Sequence, residues 1–251
     1  MTVFNAEQFL RSSINSVLNQ SYKNYEFIII DDCSTDKSKK IINSFKSNKI
    51  KKFFLKKHIG RTPSLNFGLL KCKGDFIAIL DADDISNKNR LLLQKKFLEK
   101  NKKRKIVGSN TILIDKNGKK IKNFYIPKNN LEKKMIFQNY LPHSTVMYKK
   151  NFLKKIGYFY PTNFKYSQDY ALWLKFLLKT KIYIIPKILT KCRVLKNNMT
   201  NKKELKFIRE IEKFKNYFFS LRNFNLNFQE KFFLIYSMLK TVIRLFYKVL
   251  V

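Results

Sequence analysis

The chain has 251 residues, 45% of them hydrophobic, which is ample for a sizeable core and excludes a disordered protein. Its 53 Lys and Arg against 17 Asp and Glu give a formal charge of +36, yet only eight of those cations are Arg and the lysines are spread over nearly every segment. That is the imprint of an AT-rich coding sequence, and it argues against a base-reading protein, which relies on bidentate Arg and basic stripes.

Residues 7 to 20 carry Leu10, Ile14, Val17 and Leu18 at helical spacing, and the short apolar run Glu26-Phe-Ile-Ile-Ile30 then reads as a buried strand ending in Asp31 and Asp32. Ser34 or Thr35 can cap a helix bearing Ile41, Ile42 and Phe45; Ile50 to Leu55 is strand-like, and Pro63 suits the first turn of a helix with Leu65, Leu69 and Leu70. Asp75-Phe-Ile-Ala-Ile-Leu80 is a second buried strand that ends in aspartates. Ile106 to Ile114, a turn at Asp115-Lys-Asn-Gly118 and Lys120 to Ile126 form a hairpin. A helix near 129 to 139, a strand near Ser144 to Tyr148, a helix from Gln168 to Lys179 and a strand near Ile188 to Leu195 follow. Beyond Asn197 and Asn198 the pattern is helical, around Lys203 to Phe219 and Phe228 to Val251. The expected organisation is one α/β domain over 1–198 with a mostly parallel sheet, and an amphipathic helical extension over 199–251.

Lys240, Arg244 and Lys248 fall on one face of the last helix, with Phe232, Ile235, Leu239, Val242 and Phe246 on the other. Such a helix either packs on the domain or lies in a membrane interface. The longest apolar stretch, Phe232 to Leu239, is far below the roughly 20 residues needed to cross a bilayer, and no export signal opens the chain. Cys33, Cys72 and Cys192 are odd in number and lack C-x-x-C spacing, which argues against disulfides or zinc and for a reducing, cytoplasmic setting.

Seven of the nine aspartates lie in three short segments, at 31–36, at 81–84 and at 169. In a sheet of this kind ligands bind at the carboxyl ends of the strands, so the first two clusters share one edge. Two carboxylates spaced as Asp81-Ala-Asp83 suit Mg²⁺ or Mn²⁺, the remainder of the ion's shell coming from phosphate oxygens and water.

The chain resembles the family 2 nucleotide-sugar glycosyltransferases of the GT-A fold. The resemblance rests on Thr2-Val-Phe-Asn-Ala-Glu-Gln-Phe-Leu10, Ser16 to Tyr22, Phe27 to Asp36, Ser64 to Gly68, Lys73 to Asp84, His143 to Met147 and Gln168 to Trp173, in order, and extends to about residue 195. It implies an inverting transfer from a nucleoside-diphosphate sugar to a hydroxyl. Thr2 and Val3 match the loop bordering the nucleobase, and Asp32 the aspartate that bonds the base. Asp81 matches the carboxylate near ribose and metal, Asp83 the direct metal ligand, and Asp169 the general base. Arg61 is a candidate for the diphosphate, and His143 matches a histidine lining the acceptor side.

Three departures matter. Cys33 stands where the family usually has Gly, and a positive φ is costly for Cys. Leu195 replaces a frequent histidine after Cys192-Arg193-Val194, leaving Arg193 to face the phosphates. Met1 falls inside the expected first strand, which suggests a natural start upstream.

Two rival readings are a nucleotidyltransferase and a non-catalytic basic module for nucleic acid or membrane. The first needs a Gly-rich phosphate loop that six scattered glycines do not form, and the second leaves the aspartate order unexplained. The lack of a Q-x-x-R-W segment disfavours a processive synthase. The expected partners are a sugar nucleotide, a glycan or lipid-linked acceptor and an anionic membrane surface at the inner face of the cytoplasmic membrane, with no specific nucleic acid.

Overall fold

The computed structural model describes residues 1–157, 159–195 and 206–249. The expected boundary at 198/199, the start at Lys203 of the first C-terminal helix and the end at Val251 of the second lie outside the described residues. In chain order the elements are β1 (Thr2–Val3), α1 (Glu7–Leu18), β2 (Phe27–Asp31), α2 (Ser38–Ser44), β3 (Ile50–Phe54), α3 (Arg61–Lys71), β4 (Phe76–Ala78), β5 (Ile85–Ser86) and α4 (Arg90–Glu99). They continue with β6 (Ile106–Ile114), β7 (Lys120–Phe124), α5 (Leu131–Phe137), a 3₁₀ turn at His143–Thr145, β8 (Met147–Lys149), α6 (Lys150–Lys155), α7 (Gln168–Leu177), β9 (Ile182–Arg193), α8 (Lys206–Asn223) and α9 (Phe228–Val249).

The βα alternation of the first half builds a parallel sheet in the order β1-β2-β3. Every residue of β2 is buried, as a strand covered on both faces requires. The second sheet, in the order β4-β8-β6-β9-β5 with β7 on β6, is mixed. The mostly parallel arrangement expected for the whole domain is corrected there: β6 and β9 are parallel, while β8 and β5 run antiparallel to their neighbours.

Strand β9 starts six residues earlier than its apolar run suggests. Pro186 has no N–H for the ladder, and the register with β6 jumps from Ser109↔Ile185 to Asn110↔Ile188, so a bulge absorbs Pro186 and Lys187. The core around Trp173, Phe176, Tyr148 and Ile106 anchors α7 against this sheet.

Strand β1 begins at Thr2, and just before it Ile30 N–H donates to Met1 O and the terminal amine to Ile28 O. Below it the two sheets part around a cavity of about 920 Å³ lined by Met1, Ile28, Gly68, Phe76 and Ile77.

Helices α8 and α9 pack together and close one end of the domain. Leu234 is buried with Ile136 and Leu226, Phe233 meets Phe137 edge-on at 5.2 Å, and Glu230 pairs with Lys133 at 3.1 Å. The apolar face read from the sequence is turned outward: Phe232, Ile235 and Leu239 are exposed. The helix does pack on the domain, as one of its two readings had it, but through the face that carries Leu234 and not through the apolar face read from the sequence. The side chains of Arg244, Phe246 and Lys248 lie outside the described set.

Candidate active site

The loops after β1 and β2 are knotted together by reciprocal capping. Asp36 and Ser38 accept the backbone N–H groups of Glu7 and Ala6 at 2.9 Å, while Glu7 accepts that of Lys37 at 2.8 Å. Each carboxylate thus meets the positive end of the other's helix. Asn5 completes the knot at φ 49°, its Oδ1 accepting from Thr35 N–H. Cys33 adopts φ 61°, the left-handed conformation that the substitution for Gly makes costly.

Asp32 is 2% exposed, and its two oxygens accept from Ile59 N–H and Gly60 N–H, both at 2.9 Å, with His58 Nδ1 3.0 Å away. Its carboxylate therefore fixes the turn that starts α3, where Gly60 takes φ 90°. Its neighbour Asp31 is equally buried but keeps Oδ1 without a protein partner. Thr2 and Val3 lie beside this strand end, Val3 O accepting from Asp32 N–H. Phe4 stacks on His58 with centroids 4.0 Å apart, an exposed ring pair at the rim.

Arg61, thus placed at the start of α3, sends Nη2 to both oxygens of Asp81 at 2.8 Å. Its pKa rises although burial opposes this, because Asp81, Asp169 and Asp83 all act on the same guanidinium. His143 Nδ1 lies 3.0 Å from Asp81 Oδ1, and its Nε2 lies 2.9 Å from the Tyr160 hydroxyl. With both Nη2 hydrogens given to Asp81, the imidazole donates from Nδ1 and accepts the Tyr160 O–H at Nε2. Burial works against the charge of Asp81, but Arg61 and His143 hold its carboxyl well below the usual range.

The other two carboxyls of this segment move the opposite way. Burial and then the charge of Asp81 push Asp83 up to about 6, and burial with both neighbours pushes Asp84 up to about 8. Three carboxylates crowded on one turn favour a cation among them. Arg193, expected to face phosphates, instead donates to the carbonyls of Asp83, Asp115 and Lys116, and its N–H donates to Asp84. It supports the turn from behind.

Asp169 sits in the first turn of α7, half-buried, with Asn139 Nδ2 3.3 Å from its Oδ2. Its charge acts on both Arg61 and Tyr160, as does that of Asp81, so the two carboxylates share an electrostatic neighbourhood. The loop leading to it is clamped by Glu212 of α8, which accepts N–H bonds from Lys165, Tyr166 and Ser167 and the Ser167 hydroxyl.

Sequence reading missed Glu212, Tyr160, Asn139, the stacked Phe4 and a fully buried pair on α4. There Arg90 donates to the carbonyls of Ile79 and Val146, and Gln94 to that of Thr145, tying the Asp81 turn to the His143 turn. The apolar residues of α4 are distributed around the helix, so periodicity gave no signal for it.

The model of glycosyl transferase family 2 matches residues 1–170. An uncharacterised glycosyltransferase of Methanocaldococcus jannaschii is 34% identical over 195 residues, covering 75% of this chain and 67% of that protein. The O-antigen biosynthesis glycosyltransferase WbnJ of Escherichia coli is 36% identical over 183 residues, covering 70% of each. Among solved structures, S. aureus TarS 1-349 in complex with UDP-GlcNAc superposes with a TM-score of 0.75 at 20% identity, over 96% of this chain and 70% of that one. The mannosyltransferase PcManGT of Pyrobaculum calidifontis, in complex with GDP-Man and Mn2+, gives 0.65 at 13% over 96% and 71%. Two strand ends rich in aspartate, one in the parallel sheet and one in the mixed sheet, and these matches lead to one assignment: the chain belongs to glycosyl transferase family 2 and is a glycosyltransferase with a GT-A type α/β fold.

Proposed function

We propose that the enzyme moves a single sugar, with inversion, from a nucleoside-diphosphate sugar to a hydroxyl of a glycan or lipid-linked acceptor during surface polysaccharide assembly. The observation that carries this reading is the part-buried cluster of Arg61, Asp81 and His143 at the end of the aspartate-rich strand, with Asp83 and Asp169 near enough to act on the same guanidinium through their charge. Inverting transfer requires a base on one side of the anomeric carbon and charge neutralisation on the other, and these residues supply both.

In this reading Asp169 takes the proton of the acceptor hydroxyl, a contribution of about 10²- to 10⁴-fold for a positioned base. Thr2, Val3 and the strand end at Asp31 and Asp32 border the nucleobase. Asp32 holds the Ile59–Gly60 turn with both oxygens, and in this reading it places that turn against the base. Arg61 orients Asp81 and brings positive charge to the diphosphate side.

Among the described residues there is no group of three or more His, Cys, Asp or Glu able to hold a metal ion by themselves. A hard cation such as Mg²⁺ or Mn²⁺ would be held by Asp83 and Asp81, whose crowding with Asp84 calls for positive charge, with phosphate oxygens and water completing its shell. Such an ion, when bound, neutralises the charge of the departing diphosphate. The names of WbnJ and of the complexes with UDP-GlcNAc and with GDP-Man and Mn2+ support the donor class, the cation and a role in surface glycan assembly. No helix among the described residues is long and apolar enough to cross a membrane, and a peripheral position at the cytoplasmic face is part of the proposal.

A hydrolysis and transfer screen across UDP-, GDP- and dTDP-sugars with Mn²⁺ or Mg²⁺ tests it. Asp83→Ala is expected to abolish metal-stimulated turnover and Asp169→Asn to lower transfer by at least about 10²-fold while nucleotide binding persists. Full activity of either variant refutes the assignment.

A further inference from the structure

Helix α9 presents an apolar stripe to solvent. Phe228, Phe232, Ile235, Tyr236, Leu239 and Ile243 follow the spacing i, i+4, i+7, i+8, i+11, i+15 along one face of a 22-residue helix, and they are 46 to 83% exposed. The opposite face is the docked one, with Leu234 and Thr241 buried. An exposed apolar run of this length on a docked helix needs an occupant.

We infer that this face is a membrane-interface surface that rests on an anionic bilayer. It deepens the peripheral placement proposed above and rests on that reading only for its location, since it uses the geometry of α9 and not the transfer chemistry. Lys231 and Lys240 are exposed and lie about 40° beyond either edge of the stripe at 100° per residue, so their stems border apolar surface while their ammonium groups reach outward. Lys240 Nζ sits 4.4 Å from the centroid of the Tyr236 ring, at the boundary where a polar headgroup meets acyl chain. The single acid of α9, Glu230, is turned inward and bonded to Lys133.

Charge decides between occupants. Between Lys206 and Val249 there are nine Lys and Arg against three Glu, and the whole chain carries +36, so a second copy would bring like charge against like. An anionic lipid surface neutralises it. At 1.5 Å per residue α9 is about 33 Å long, enough to lie along the interface as a rail.

The test uses the full chain and vesicles of pure phosphatidylcholine or with about 30% phosphatidylglycerol, read by co-sedimentation. Binding to the anionic vesicles at least about tenfold tighter than to neutral ones is expected, weakening as salt rises. The double variant F232S/L239S should lose about tenfold or more in partitioning, and K231Q/K240Q about tenfold, with circular dichroism and donor hydrolysis without vesicles unchanged. Vesicle binding that is unaltered in F232S/L239S overturns the inference. So does a concentration-dependent dimer in light scattering that the same variant abolishes. Donor hydrolysis measured on the same samples separates failure of this surface from failure of the transferase reading.

Discussion

Glu212 offers the sharpest link between the helical end of the chain and the chemistry. It is 2% exposed on α8, and it gathers the N–H groups of Lys165, Tyr166 and Ser167 and the Ser167 hydroxyl immediately before Asp169. Glu212→Ala leaves three backbone donors without their acceptor. An orphaned buried donor costs about 1–3 kcal/mol, and the loop is partly open to water, so a total loss of about 2–4 kcal/mol is expected. Glu212→Gln keeps the volume but replaces an acceptor oxygen by an NH₂ that opposes the same donors, and should cost about 1–2 kcal/mol.

Urea unfolding reads the stability, and steady-state transfer reads the site. Because the clamp holds the Asp169 side alone, kcat should fall by about 10- to 100-fold through misplacement of the base. Affinity for the nucleoside diphosphate, which depends on the strand ends, should stay within about twofold of the wild type. An Ala variant with an unchanged urea midpoint, or with nucleotide affinity lost in proportion to kcat, would show that Glu212 does not position Asp169.

Two further outcomes follow from the same geometry. Cys33→Gly relieves a left-handed backbone that costs a Cβ-bearing residue about 1–2 kcal/mol, offset by the greater unfolded-state freedom of Gly, so a net gain of about 0.5–1 kcal/mol in urea unfolding is expected; a loss would mean that the loop is not strained. His143→Gln should weaken nucleoside-diphosphate binding about tenfold by freeing Asp81, which Arg61 then holds alone, while Tyr160→Phe has a smaller effect. The chain has only two histidines, so ring ¹⁵N shifts can confirm the Nδ1–H tautomer of His143 directly, and an Nε2–H signal would reverse the order of donors.

What the sequence disclosed, and what it hid, divides along physical lines. Strands buried on both faces are continuous apolar runs, so β2 and the segment around β4 were legible together with the aspartates at their ends. The hairpin of β6 and β7 was legible from Asn117-Gly118, although only Gly118 takes a positive φ, 83°, and the connection is a longer turn closed by Asp115 N–H on Lys119 O. Strand direction in the second sheet was not, since antiparallel and parallel partners draw on the same residues. Side-chain commitments were least visible: nothing in the letters distinguishes Asp32, spent on a turn, from Asp31, which keeps a free oxygen. Nor does a Glu in a basic helix announce that it closes on a loop some 45 residues away.

The C-terminal helices are consequently not an appendage to the catalytic fold. Glu212 of α8 sets the loop of Asp169, Ser220 and Leu234 dock the pair against α5, and the outer face of α9 stays apolar and flanked by lysine. If that face rests on a bilayer, the helix pair that clamps the loop before Asp169 also fixes the height of that carboxylate above the membrane. A lipid-linked acceptor would then be presented from the membrane to a carboxylate held at constant distance from it, while the donor approaches the strand ends of the first sheet. The coupling has a measurable consequence: anionic vesicles should raise kcat/KM for a lipid-linked acceptor and leave hydrolysis of the donor alone unchanged. A soluble acceptor gaining equally would break the connection between the two ends of the site.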